Sequence, residues 1–162
     1  QGQHRNAALI DWYFGHLSAA AKEWDDAAVH FEASRSFHRS IDDTVGVAWL
    51  SGVLGWVHAN RQDELAARSA LVEAFGTYAR VGIAAGLESA LIGLAEFLRR
   101  RDPAAAAQAV AWFDYLCAED TAPEQTEFAI IDEIRSAVGP VEARKVGDPA
   151  DCASWATSLL SL

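Results

Sequence analysis

Apolar residues recur every three to four positions along most of this chain, and short polar strings interrupt them at nearly even intervals. Leu9, Trp12, Tyr13 and Leu17 fall at helical spacing and predict a helix over 6–20, ended by Lys22-Glu23-Trp24-Asp25-Asp26. A second helix carries Ala27, Phe31, Ser34 and Phe37 and breaks at Ser40-Ile41-Asp42-Asp43. There Asp43 or Thr44 suits the cap of the next helix, because a short polar side chain satisfies its free N–H groups. The third helix, 45–60, holds Val47, Leu50, Val53, Leu54 and Val57, with Gly46, Gly52 and Gly55 embedded. A fourth runs over 63–80 with Leu65, Ala67, Leu71, Phe75 and Tyr78, and Gly82 punctuates it. Leu87, Leu91, Leu94, Phe97 and Leu98 predict a fifth over 83–100. Asp102-Pro103, an N-cap followed by proline at the first helical position, opens a sixth that runs to about 118.

After Glu119 the pattern changes. Thr121-Ala122-Pro123-Glu124 opens a helix with Phe128, Ile131, Ile134 and Val138, closed by Gly139-Pro140. Beyond Gly147-Asp148-Pro149, a last apolar stretch over 155–162 places Trp155, Leu159 and Leu162 on one face. With no Gly/Ser linker in between, a single domain over 1–162 is expected.

The first six helices form a repeat. Ala27, Ala67 and Ala106 sit 40 and 39 residues apart. Each follows a polar turn, and each is followed four residues later by an apolar residue: Phe31, Leu71 and Val110. Periods of this size indicate stacked helical hairpins. The hairpins span about 6–40, 44–81 and 83–118, and 121–162 reads as the less regular cap that an array's last hairpin needs.

Composition narrows the role. An alanine-rich chain, 51% hydrophobic, favours an all-α fold. A net charge of −10 repels phosphate backbones and anionic lipids, so neither nucleic acid nor a membrane is an expected direct partner. Arg99-Arg100-Arg101, the one concentrated basic stretch, complements the dipole at a helix C-terminus. No apolar run reaches the ~20 residues of a membrane span, and no signal peptide is visible. Two cysteines, Cys117 and Cys152, are too few for a disulfide framework, so a reducing cytoplasmic setting is expected. The start at Gln1 and the lack of methionine suggest a piece of a larger protein.

The repeat resembles the tetratricopeptide pattern, in which a small residue late in the first helix is followed by a second small residue twelve on and a bulky one four further. Gly15, Ala27 and Phe31 fit it, as do Gly55, Ala67 and Leu71, while the third copy reads Leu94, Ala106 and Val110. The fit departs where Ser34 and Phe113 replace a usual alanine, and no copy ends in the usual proline. The period exceeds the usual ~34 residues, which suggests extended connecting strings over 37–50 and 78–91. Such long-period repeats, followed by an alanine-rich helix, a proline-led helix and a Trp-bearing end, resemble the C-terminal regions of large bacterial signal-transducing ATPases and LuxR-type, maltose-activator-like transcription regulators. The resemblance implies a right-handed α-α superhelix of three hairpins plus a helical cap, which serves as a sensor or scaffold arm.

It also implies an inner face built from the first helix of each hairpin. That face takes Leu9, Trp12 and His16 from the first copy, Trp49, Trp56 and Asn60 from the second, and Glu88, Leu91 and Arg99 from the third. An aromatic groove with an arginine suits an amphipathic helix or extended peptide, including a segment of the same parent chain. The same tryptophans also suit a core role, wedged between hairpins. Trp24 reads as a packing anchor and Trp112 as lying under the cap. A small-molecule effector stacked on Trp12, Trp49 and Trp56 is the rival expectation, and self-association through 155–162 the third.

No catalytic residue, metal ligand or cofactor is expected. His30 and His38 lie eight apart, too far for the i, i+4 pair that a helical zinc site favours, and no CxxC is present. Glu23, Asp25 and Asp26 complement the positive N-terminus of the following helix, as do Asp42 and Asp43. Neither a phosphate-binding loop nor a serine-centred elbow appears.

Overall fold

The computed structural model describes residues 2–119, 125–139 and 148–161. They form eight α-helices and no strand: α1 (Gly2–Ala20), α2 (Trp24–Ser40), α3 (Thr44–Asn60), α4 (Glu64–Val81), α5 (Leu87–Leu98), α6 (Pro103–Glu119), α7 (Gln125–Val138) and α8 (Pro149–Leu160). Thr121, Pro123, Glu124, Pro140 and Leu162, and the side chain of Phe128, lie outside the described residues.

The long period has a simple geometric origin. The strings expected to be extended are largely helical instead, broken by the turn at 41–43 in the first and over 82–86 in the second. α2 and α3 are each 17 residues long, and the turns at 41–43 and 61–63 take three each, so two helix–turn units make up the forty-residue repeat. The first three turns share one geometry, with positive φ at the middle residues Lys22 (62°), Asp42 (56°) and Gln62 (59°). In each, the next backbone N–H reaches back five residues: Glu23 to Ser18 (2.9 Å), Asp43 to His38 (3.0 Å) and Asp63 to His58 (3.0 Å). Such a left-handed closure satisfies the last carbonyls of the outgoing helix. The closing residue then occupies the N-cap of the incoming helix. Asp43 accepts from Gly46 N–H at 2.9 Å and Asp63 from Ala66 N–H at 3.1 Å.

The regularity stops at α4. Gly82 (φ 70°) and Gly86 (φ 87°) adopt left-handed conformations, which glycine tolerates without a Cβ clash, and α5 begins only at Leu87 rather than near 83. The tail differs from expectation in two further ways. Asp148-Pro149 starts α8, with Asp148 accepting from Ala150 N–H at 2.8 Å, so the last helix opens six residues before Trp155. And while α7 packs on α5 and α6, α8 packs along α4. Arg68 Nε near the start of α4 donates to the Leu160 carbonyl at the end of α8 (2.7 Å), and Pro149 at the start of α8 lies beside Tyr78 and Gly82 at the end of α4, so the two helices run antiparallel.

Neighbouring helices pack in sequence from α1 to α7, and α3 also packs on α5. Ala27, Ala67 and Ala106 are fully buried. The paired glycines explain the close approach of helices within a hairpin. A Cβ on Gly15 would lie 2.7 Å from Phe31, and one on Gly55 2.5 Å from Leu71. The third copy inverts the sizes, with Leu94 buried on α5 and the smaller Val110 on α6. Between α3 and α5 the contact is tighter still, because a Cβ on Gly52 would meet Ala90 N at 2.7 Å and one on Gly93 would meet Gly52 O at 2.7 Å. No described helix is long and apolar enough to cross a membrane.

Candidate functional site

A cleft of about 680 Å³ opens where the N-terminal part of α1, the C-terminal part of α2 and the start of α3 meet. Antiparallel pairing within the first hairpin brings these ends together. Leu9, Trp12 and Tyr13 form one wall, Phe37 and His38 a second, and Ile41, Asp43 and Trp49 the rest. The Trp12 and Trp49 rings lie 5.8 Å apart and tilted by 33°. The aromatic contacts continue inward from Trp12 to His16 (4.5 Å) and from His16 to Phe31 (5.0 Å), joining the cleft to the core of the hairpin. Leu9, Tyr13 and Ile41 stay more than half exposed at its rim.

Electrostatically the cleft is mild. His38 Nδ1 pairs with Asp43 Oδ2 at 2.8 Å. The Gly46 backbone N–H holds the Asp43 carboxyl below the usual carboxylate range; burial opposes this, and His38 adds to it. Burial alone lowers the His16 pKa. The buried atoms Trp12 Nε1 and His16 Nε2 have no hydrogen-bond partner, and neither does Glu88 Oε2.

The nine residues expected on one inner face divide into three groups. Leu9, Trp12 and Trp49 line the cleft, and His16 stands behind Trp12. Trp56 and Asn60 belong elsewhere: Trp56 is buried with its ring edge-on to Trp24 at 5.2 Å, and Asn60 Nδ2 donates to the Trp56 carbonyl at 3.0 Å. Leu91 and Glu88 are buried in α5, and Arg99 donates to Glu96 at 2.7 Å. The heptad spacing of Trp49 and Trp56 puts them on one stripe. The helices packed on α3 bury the second and leave the first half-buried, with part of its ring lining the cleft. Trp24 packs edge-on to Trp56, and Trp112 is buried with its ring edge-on to Tyr115 of its own helix at 6.2 Å.

Phe37, His38, Ile41 and Asp43 were not among the expected site residues. Counting along first helices alone excludes them, whereas a three-residue turn necessarily returns the end of α2 and its connection to the start of α3. His30 and His38 each pair with a single acid, Asp11 (3.0 Å) and Asp43, and no set of three metal-ligating side chains occurs among the described residues. Burial pushes the Cys152 thiol up to about 12, which keeps it protonated and unreactive.

A second hollow, about 800 Å³, lies between the α1–α2 and α3–α4 turns, lined by polar residues such as Asp25, Arg61 and Asp63 around Trp24. It offers no apolar floor beyond that ring. Comparison with protein-family models, with curated proteins and with solved structures gave no match.

Proposed function

We propose that this chain is a cytoplasmic interaction module, a tetratricopeptide-like superhelical arm of a larger bacterial regulator, and that its α1–α3 cleft holds a segment of a partner protein or of its own parent chain. The observation that carries this reading is the open aromatic cleft itself. Large apolar side chains rarely stay exposed in a cluster without a partner. Here Trp12 and Trp49 supply rigid walls that lose little side-chain entropy on binding. The shape suits one or two apolar side chains of a docked helix or strand, with the Asp43–His38 pair at the edge fixing its register. The reading is a binding role, with no reaction assigned to the chain.

A small organic effector is the second reading. It is favoured by the tilted Trp12–Trp49 pair, which fits a flat ring or sugar face between polar groups of Ser34, His38 and Asp43. Selection of displayed peptides on the intact chain, with counter-selection on Trp49→Ala, separates the two. The proposal expects peptides with aromatic or leucine anchors whose binding quenches tryptophan fluorescence and weakens at least tenfold in Trp12→Ala. Peptides that bind both variants equally well, or a metabolite panel that alone saturates the quench, would overturn it.

A further inference from the structure

α1 is apolar on two opposite sides. One side, with Ala8, Gly15 and Ala19, is buried, and Gly15 meets Phe31 of α2. On the other, Ile10 (53%), Tyr13 (56%), Phe14 (49%) and Leu17 (64%) stand exposed. Forty residues on, the same register of α3 carries Leu50, Val53, Leu54 and Val57, all buried. Helical geometry sets these four opposite Gly52 and Gly55, which face α5 and α4, and so turns them toward the preceding hairpin. In the repeat this flank is therefore covered by the second helix of the hairpin before it, and α1 leaves the same flank open except where the His30 ring of α2 stacks on Phe14 at 5.4 Å.

A polar feature follows the same register. Ser51 on α3 accepts from the α2 side chain Arg35 at 3.0 Å, and Arg35 also donates to Glu32 (2.6 Å) and Glu73 (2.8 Å). The residue forty before Ser51 is Asp11, a partly exposed acid whose partner is His30 on α2. Where α3 receives a cation on a neutral hydroxyl, α1 offers a carboxylate.

We infer that the exposed flank of α1 is a docking surface for an amphipathic partner helix, laid on α1 as α2 lies on α3. Its apolar stripe covers Ile10, Phe14 and Leu17, and an arginine or lysine on it reaches Asp11. The register that α1 shares with α3, forty residues on, gives the orientation, and the charge of Asp11 gives the chemistry. The flank meets the α1–α3 cleft at Tyr13, but the inference rests on Ile10, Asp11, Phe14 and Leu17, none of which lines the cleft, and stands or falls apart from it.

The test supplies the missing helix. A copy of residues 24–43, which is α2 with its own three-residue turn, is joined at position 4 of the otherwise complete chain, forty before Thr44. The expected result is amide exchange in α1 slowed at least tenfold. Much of that gain should be lost when the copy carries Arg35→Glu and recovered when Asp11→Lys is added. The same helix supplied in trans as a peptide gives an independent reading, expected to slow α1 exchange in the intact chain but not in its Leu17→Glu variant. Unchanged α1 exchange in both formats would overturn the inference. So would equal protection from a copy of scrambled sequence. Light scattering that shows the unmodified chain as a dimer, returned to monomer by Phe14→Ser with Leu17→Ser, would also overturn it, since the occupant would then be a second copy.

Discussion

α1 and α3 share a register forty residues apart and meet opposite surroundings. α3 is packed by α2, α4 and α5, so its glycines bring backbones together on one side while its leucines and valines fill the other. α1 has the glycine and the close contact with its hairpin partner, but its second apolar side faces outward. The same pattern of side chains is thus structural in one place and available in the other. Hydrophobic periodicity predicts that a helix forms and which sides seek cover; the neighbours decide which side becomes a site.

The sharpest way to break this comparison is to truncate the same residue type on the two flanks. Leu54→Ala empties a fully packed position in α3 and is expected to cost about 3 kcal/mol in urea unfolding. Leu17→Ala, at the matching flank of α1, is expected to change stability by no more than about 0.5 kcal/mol. Equal losses would mean that the α1 flank is covered.

Glycines sharpen it next. Gly93→Ala places a methyl against the Gly52 carbonyl, where backbone cannot move aside, and is expected to lose about 2 kcal/mol through overpacking. Gly76→Ala, a helical position with nothing within 4 Å of the added Cβ, is expected to gain up to about 1 kcal/mol. Paired thermal melts of these two variants read the difference in sign.

The repeated turns come third. Asp43→Ala removes the acceptor for Gly46 N–H together with the His38 contact, and is expected to cost about 1 kcal/mol by chemical denaturation. Asp63→Ala, at the same place in the next turn, loses the Ala66 N–H cap and only a charge interaction with His58 in place of a hydrogen bond, and is expected to cost less.

Acid gives the smallest effect. Burial lowers His16, and burial together with the charge of Arg61 lowers His58, so both stay neutral in the folded chain below the ordinary value of 6.5. The unfolded chain therefore takes up these protons first as pH falls. Their contribution is complete above about pH 6.5 and is lost as pH drops through the lowered folded values. Further down, Glu73 adds a second loss. Burial raises its carboxyl, but hydrogen bonds from Ser51 and Arg39 and the charges of Arg35 and Arg39 outweigh that and hold it below 4.5. Unfolding curves between pH 7 and 5 are expected to show a falling midpoint, and His16→Gln a shallower fall.

Much of the fold is legible in the sequence. The helices, the Asp caps and the glycine pairs follow from local spacing, and the buried alanines mark the hairpin contacts. The length of the repeat was legible and its cause was not, because a left-handed Lys22 or Gln62 leaves no mark in composition. α8 was readable in part. Asp148-Pro149 is the same start signal as Asp102-Pro103, but nothing local directs that helix to α4. The site was half visible for a similar reason. Trp12 and Trp49 stand out as aromatics on first helices, whereas Trp56, Leu91 and Glu88 look equivalent by register and are covered by tertiary packing. Phe37 and Ile41 enter the cleft only through the turn that joins α2 to α3.

Amide hydrogen exchange along the whole chain, with and without a peptide selected on the cleft, tests the central claim most directly. Free, α3 is expected to exchange at the rate of global unfolding, and α1 orders of magnitude faster through local opening. With peptide bound, protection should grow around Trp12 and the start of α3 while α8 stays unchanged. Equal protection of α1 and α3 in the free monomer, or a bound peptide that slows α7 and α8 but leaves α1 untouched, would contradict the assignment of this end of the molecule as its binding surface.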